Sequence, residues 1–204
     1  IKTGKIEYNN KNLLNLTQKE IQNIRGNKIS TIFQEPMTSL NPLHTINKQI
    51  EEIIITHNTL SKKEAKKRTI KLLNEVGLSD ISSRPKIYPY ELSGGQRQRA
   101  MIAMSIANEP DLLIADEPTT ALDVTIQLQI LELLQKIQKK MGMSIIFISH
   151  DLNIVKKISD RVLVMQKGEI KEENSMNEIF QNPKDPYTQR LINSSPEPKK
   201  GTVD

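Results

Sequence analysis

Apolar residues along this chain change period several times, and each change marks an element. Lys5–Tyr8 reads as a short strand followed by the turn pair Asn9-Asn10, whose residues tolerate left-handed conformations. Lys28–Phe33, K-I-S-T-I-F, predicts a second strand ending at Gln34, and Pro36 and Pro42 then mark a loop. The apolar spacing lengthens to that of a helical face over Ile46–His57 and Lys62–Val76, the second closed by Gly77. A third helix is expected to start at the Ser93-Gly94-Gly95 turn and to run close to Asn108, before Pro110. Leu112–Ala115 is a continuous apolar run of strand length, which suits a parallel strand covered on both faces. Val124–Met141 carries Leu128, Leu131, Leu134 and Ile137 on one helical face and ends at Gly142. Ser144–Ser149 predicts another buried strand, followed by a short helix from Asp151. Arg161–Met165 and Glu169–Ile170 flank Gly168 and read as a hairpin. After Ser175 come one or two short helices, then a linker with Pro196, Pro198 and Lys199-Lys200. The organisation is α/β at both ends with a helical stretch between.

Composition narrows the classes. A chain of 204 residues can bury one sizeable core, most simply as one domain with an inserted subdomain. No stretch approaches the eighteen or so apolar residues of a membrane helix, so the chain is expected to be soluble by itself while able to sit against a membrane protein. No secretory signal is visible, and the absence of cysteine excludes disulfides, thiolate zinc sites and cysteine-held iron–sulfur clusters within these residues; a cytoplasmic location fits. The net charge of +5 is spread along the chain. Even the densest basic run, Ser61–Arg68, carries the helix start Ser61-x-x-Glu64 and reads as a solvated helix face, so nucleic acid is not an expected partner.

Two patterns carry chemistry. Leu112–Glu117 ends a buried strand in Asp116-Glu117, at the strand end where open α/β sheets bind ligands. Asp116 suits a Mg²⁺ ion, a hard cation that takes oxygen ligands and keeps several waters. Glu117, one residue on, could polarise a water that attacks a γ-phosphate. Ser93-Gly94-Gly95-Gln96 opens a helix with a hydroxyl and two glycines, so its backbone can approach an anion at the positive helix end. Taken singly, a solvated strand end and a plain N-cap are the better readings of these patterns. Their order changes the balance: Gln96-Arg97-Gln98-Arg99 continues the helix, and the carboxylate strand follows directly.

In that order the residues resemble the ATP-binding cassette proteins. Leu92–Gln96 is similar to their signature motif, and Leu112–Glu117 to their Walker B strand. Gln34 resembles the Q-loop glutamine, Ala121-Leu122-Asp123 the D-loop, and His150 the switch histidine that contacts the γ-phosphate. The resemblance implies an α/β fold: a P-loop NTPase (RecA-like) parallel-sheet core over 1–38 and 109–170, an inserted helical signature subdomain over 39–108, and a C-terminal helical extension over 171–204. It implies ATP and Mg²⁺ as ligands, with Glu117 and His150 catalytic. Gln34, Ser93, Gly94, Gly95, Gln96 and Asp123 would then be nucleotide-binding, and Asp116 and Gln34 would face the metal. No G-x-x-x-x-G-K-[ST] phosphate loop lies in these residues, since Gly4-Lys5 is followed by Ile6. The expectation is that this loop precedes Ile1 and that the chain starts inside a domain.

A finer resemblance covers Gln34–Pro42, Asp116–Thr125 and Asp185-Pro186-Tyr187-Thr188, which look like the ATPase subunits of peptide importers. It implies a second cassette, integral-membrane permease subunits and, indirectly, an extracytoplasmic solute-binding protein as partners. It also implies a peripheral position on the cytoplasmic side of the cell (inner) membrane, with Met37–Leu43 as the surface that faces the permease. The alternative is a cassette ATPase outside transport, such as a translation factor. Chromosome-type cassettes are disfavoured because no heptad insertion lies between Gln34 and Leu92, and repair types with zinc cysteines because there is no cysteine.

Overall fold

Short polar side chains start the helices, and they do so within three residues of chain. The computed structural model describes residues 4–34, 39–120 and 122–194. Thr17, Ser61 and Ser93 each form a capping box with the Glu or Gln three residues on, and Thr45, Asp123, Asp151, Ser175 and Asp185 cap further helices. Each such cap satisfies backbone donors that the first turn leaves open, contributing on the order of 1 kcal/mol.

The chain forms two compact units, 1–146 and 147–204. The first opens with the antiparallel pair β1 (Glu7–Tyr8) and β2 (Lys11–Asn12), joined by Asn9 and Asn10 at φ 48° and 62°. Helix α1 (Gln18–Ile24) follows, then β3 (Ile29–Ile32). α1 is an addition to the sequence expectation, although Thr17-x-x-Glu20 is the same capping signal that marks Ser61. Next come α2 (Ile46–His57), α3 (Lys62–Glu75), α4 (Ser79–Ser82) and α5 (Gly94–Ser105). β4 (Leu112–Asp116), α6 (Val124–Met141) and the start of β5 (Ser144–Ile148) complete the unit. β3 runs parallel to β4, from Ile29 opposite Leu112 to Ile32 opposite Ala115, in a sheet of order β3-β4-β5. β5 enters beside the start of β4, where the Ser144 N–H donates to Asp111 O at 3.0 Å.

Ile32, Leu113, Ala115, Ile102, Ile106 and Ile130 are buried in this unit. The strand expected to be covered on both faces alternates instead: Leu113 and Ala115 are buried, while Leu112 and Ile114 are half-buried. One sheet face is therefore closed more completely than the other by the described residues. Asn108, just after α5, ties the helical stretch to the sheet. Its Nδ2 donates to Gly26 O at 3.0 Å and Ile53 O at 3.3 Å, and its Oδ1 accepts from Asn58 at 2.9 Å. Arg99 on α5 donates to Val76 O at the end of α3 (2.8 Å) and to Gln129 Oε1 on α6 (3.2 Å), a cation at a negative helix end.

The second unit holds the end of β5, α7 (Leu152–Ile158), the antiparallel hairpin β6 (Arg161–Gln166) and β7 (Glu169–Ser175), α8 (Met176–Gln181) and α9 (Pro186–Asn193). Alternation on β6 sends Val162 and Val164 inward, where they meet Val155 and Ile179, with Phe180, Tyr187 and Leu191 packed around them. Burial works against the Glu172 carboxylate, yet N–H donors from Lys184 (2.9 Å) and Asp185 (3.0 Å) hold its pKa below the usual range. The turn before α9 is thereby fastened to β7.

In the N-terminal hairpin the Tyr8 hydroxyl donates to the Asp111 carboxylate at the head of β4. Burial and that carboxylate push the phenol up to about 12 from 10.0. Because the neutral phenol is the bound form, the stabilisation is complete below pH 10.0 and fades as pH rises through about 12. In a tyrosinate absorbance titration, Tyr8→Phe should remove a step near pH 12; an unchanged alkaline limb would refute the contact.

Candidate functional site

The register of β3 on β4 continues past the ladder. Both strands run toward the same end, so two residues beyond Ile32 and Ala115 the chain leaves the sheet at Gln34 and Glu117 together. Gln34 Nε2 donates to Glu117 Oε2 at 3.0 Å across 83 residues of sequence. Thr120 Oγ1 donates to the same oxygen at 2.9 Å, and the Thr120 N–H closes the turn on Glu117 O at 3.1 Å. Glu117 itself has φ 45°. A left-handed residue with a Cβ costs roughly 1–2 kcal/mol, and such strain gathers at functional turns. Asp116, the last residue of β4, is half-buried beside it. These groups lie at the C-terminal ends of parallel strands, where such sheets bind ligands.

Among the described residues no three His, Cys, Asp or Glu side chains converge as a ready metal cage. Asp116 and the carboxamide oxygen of Gln34 are hard oxygen donors. That incomplete set suits a divalent cation that retains waters and takes further ligands from a phosphate. With Gln34 Nε2 turned to Glu117, its oxygen is the atom that remains for a cation.

The signature turn stands at the N-terminus of α5. Ser93 and Gln96 are engaged with each other: Gln96 N–H donates to Ser93 Oγ at 3.3 Å and Ser93 N–H to Gln96 Oε1 at 3.0 Å. The N-cap reading of Ser93 is therefore realised, and a helix start of this kind offers an anion its first-turn N–H groups. The two glycines have a packing reason besides. A Cβ on Gly95 would come within 2.9 Å of Ile126 Cγ2, and one on Gly94 within 3.6 Å of Leu122 Cδ2. The start of α5 thus lies against the start of α6.

The other expected residues fall as follows. Asp123 caps α6, its Oδ1 accepting from the Ile126 N–H at 2.9 Å. His150 is exposed and lies in the second unit, on a turn where Ser149 Oγ accepts from the Asp151 N–H at 3.0 Å and Asp151 caps α7. Ala121 and Met37, both within motifs read from the sequence, lie outside the described residues. The structure brings together Gln34, Glu117 and Thr120 in one group, and Gly94, Gly95, Leu122 and Ile126 in another. Thr120 was given no role by the sequence reading. Its signal, a hydroxyl three residues after a strand-end carboxylate, is short and common.

Comparison with protein-family models matches residues 1–120 to the family described as ABC transporter. Among curated proteins, the chain is 54% identical over 194 residues to the peptidoglycan transport ATP-binding protein YejF of Agrobacterium fabrum, covering 95% of this chain and 36% of that protein. It is 53% identical over 195 residues to the oligopeptide transport ATP-binding protein OppD of Bacillus subtilis, covering 96% of this chain and 54% of that one. The Bacillus subtilis dipeptide transport ATP-binding protein DppD matches at 50% over 193 residues, 95% of this chain and 58% of its own length. The chain therefore spans about half the length of such relatives or less. Among solved structures, a dimeric ATP-binding cassette in a post-hydrolysis state with ADP and Pi superposes with TM-score 0.75 at 31% identity, covering 85% of this chain and 74% of that one. The cbiO1 protein of Clostridium perfringens, part of the cbiONQ ABC transporter complex, superposes with TM-score 0.77 at 30% identity, covering 88% and 69%. The parallel-sheet α/β cassette fold expected from the sequence is the fold observed.

The α5–α6 approach gives a direct prediction. Gly95→Val should force α5 from Ile126 and lower stability by about 1–3 kcal/mol, the usual cost of overpacking. Urea unfolding checks it, and an unchanged midpoint would show that the two helix starts are not in tight contact.

Proposed function

The chain belongs to the ABC transporter family, and on that premise we propose that it is part of an ATP-hydrolysing subunit that powers peptide uptake through a membrane permease. The observation that carries this reading is the Gln34–Glu117–Thr120 group at the ends of the parallel strands. With Oε2 held by two donors, the Glu117 carboxylate is oriented before substrate arrives. A water placed against it is polarised toward the γ-phosphate, Glu117 acting as base. Asp116 and the Gln34 oxygen hold Mg²⁺, which when bound neutralises phosphate charge. For His150 the family resemblance supports a contact to the γ-phosphate.

The signature turn serves a nucleotide held by a second cassette. The N-terminal end of α5 presents first-turn N–H groups and positive helix-end charge to that phosphate, with Ser93 and Gln96 fixing the turn and Gly94 and Gly95 keeping it close. Asp123 holds the crossing segment at the start of α6. Functionally, the nucleotide core comprises 1–38 and 109–170, the helical signature subdomain 39–108, and the C-terminal extension 171–204. Two cassettes close on ATP because the γ-phosphate binds the closed pair better than the open one, and that difference drives the permease. Peptide as cargo is supported by the names of the oligopeptide and dipeptide relatives. The subunit works at the cytoplasmic face of the membrane, served by an external solute-binding protein. No helix of the described residues is long and apolar enough to cross a membrane.

In the complete protein, Glu117→Gln should keep ATP binding and lose turnover by about 10²–10⁴-fold, the usual range for a lost general base. Equilibrium nucleotide binding and steady-state phosphate release measure the two separately, and near-normal hydrolysis would sink the role of Glu117. Thr120→Val should lower kcat with less effect on KM, since it loosens the carboxylate without touching nucleotide.

A further inference from the structure

Successive turns of α5 and α6 meet in two contacts of different kinds. In the first turn, a Cβ on Gly95 would stand 2.9 Å from Ile126 Cγ2. One turn further on, Arg99 Nη2 donates to Gln129 Oε1 at 3.2 Å. Gly95 and Arg99 are four residues apart and Ile126 and Gln129 three, so each pair lies on one helical face. The two helices therefore leave their starts in the same sense, α5 from the Ser93 turn and α6 from Asp123. An apolar contact against a glycine has no preferred direction and lets one helix slide or roll on the other. A hydrogen bond from a planar guanidinium weakens steeply once its angle is lost, so the second contact fixes what the first leaves free.

We infer that Arg99 is a positioning residue for the signature turn: its fork sets the register of α5 on α6, so that the first-turn N–H groups of α5 aim at the nucleotide held by the second cassette. This rests on the role proposed for that turn above. The other prong of the fork is anchored as well. Arg99 Nη1 donates at 2.8 Å to Val76 O, the carbonyl at the C-cap of α3, where a cation meets the negative helix end. Gly77 follows in the left-handed conformation at φ 77°, and a Cβ there would stand 3.1 Å from that same nitrogen. The end of α3 is thus shaped around a half-buried guanidinium. Lys140 Nζ also joins α6 to the end of α3, 2.7 Å from the Glu75 carboxylate, in a tie that does not include α5. Because β4 ends in Asp116 and the chain continues through Glu117 and Asp123 into α6, the fork relates the aim of the signature turn to the carboxylates of its own chain. Losing it should weaken the closing of two cassettes on ATP and leave the chain's own nucleotide contacts in place.

The test uses the complete ATPase and reads steady-state hydrolysis against ATP concentration, ATP binding at protein dilutions too low for pairing, and thermal melting. Gln129 is exposed, so Gln129→Leu should melt like the parent and bind ATP like it when unpaired. It should raise the ATP concentration for half-maximal hydrolysis about fivefold, the lower end of the usual span of coupling between sites, with kcat kept within about twofold. Arg99→Lys keeps the charge without the fork and should show the same rise. Adding Gln129→Glu to Arg99→Lys gives the ammonium a carboxylate to meet and should bring half-saturation back toward the parent value. A rise in half-saturation at unchanged melting temperature is a result that a merely structural role would not give. Parent-like half-saturation in both single variants overturns the inference, as does a fall of kcat and melting temperature together with half-saturation unmoved. If Arg99→Lys does not fold, Gln129→Leu decides alone. Ser93→Arg blocks the turn itself and should abolish turnover. Parent-like turnover in Ser93→Arg overturns the reading of the signature turn and this inference together, whereas an inactive Ser93→Arg beside parent-like Gln129→Leu removes the inference alone.

Discussion

Because β3 and β4 run parallel with Ile29 opposite Leu112, the chemistry at their ends depends on that register. A slip of one residue would reverse the faces of one strand against the other, and Gln34 would no longer meet Glu117. The core enforces the alignment. Ile32 and Ala115 are opposite each other and both buried, and sliding either would expose an apolar side chain and bury its neighbour. The hydrogen bond from Gln34 to Glu117 is therefore secured by hydrophobic burial two residues away. Parallel pairing also sends both strand ends to one edge, which is why two residues 83 apart in sequence can act on one site.

The same short polar residues serve as helix caps and as motif residues. Ser93 and Gln96 close a capping box, and Asp123 caps α6, so these side chains are held in place before any nucleotide arrives. The caps fix where each helix starts and leave its first N–H groups facing outward, which is what an anion site at a helix end needs. The approach of Gly95 to Ile126 then ties one such start to the other. Arg99, donating to both Val76 O and Gln129, extends the link to the end of α3.

Two carboxamides pin the backbone at either end of the helical stretch. Asn108 reaches the backbone at Gly26 and Ile53, and Gln49 reaches that at Asn41 and His44. Buried carboxamides are specific in a way that apolar contacts are not, since a misaligned partner leaves a polar atom unpaired at a cost of about 1–3 kcal/mol. Such ties define one arrangement of loop and helix rather than a family of near-equal ones.

The sequence alone determined what is encoded within a turn or two of chain. The helices from Ile46, Lys62 and Val124, the strand ending in Asp116-Glu117 and the Ser93 turn all rest on local period, caps and breakers, and each lies where those signals put it. The motif order made the family resemblance readable, and the fold agrees with it. Even α1 has a local signal in Thr17-x-x-Glu20, although none of its residues is buried. Only tertiary structure decided the rest. The left-handed turn at Glu117, the two donors on its carboxylate, the Tyr8–Asp111 contact and the Gln49 clamp join residues whose pairing no local preference specifies. They form because burial of the core sets which backbones lie side by side, and polar groups brought together by that packing must then find partners.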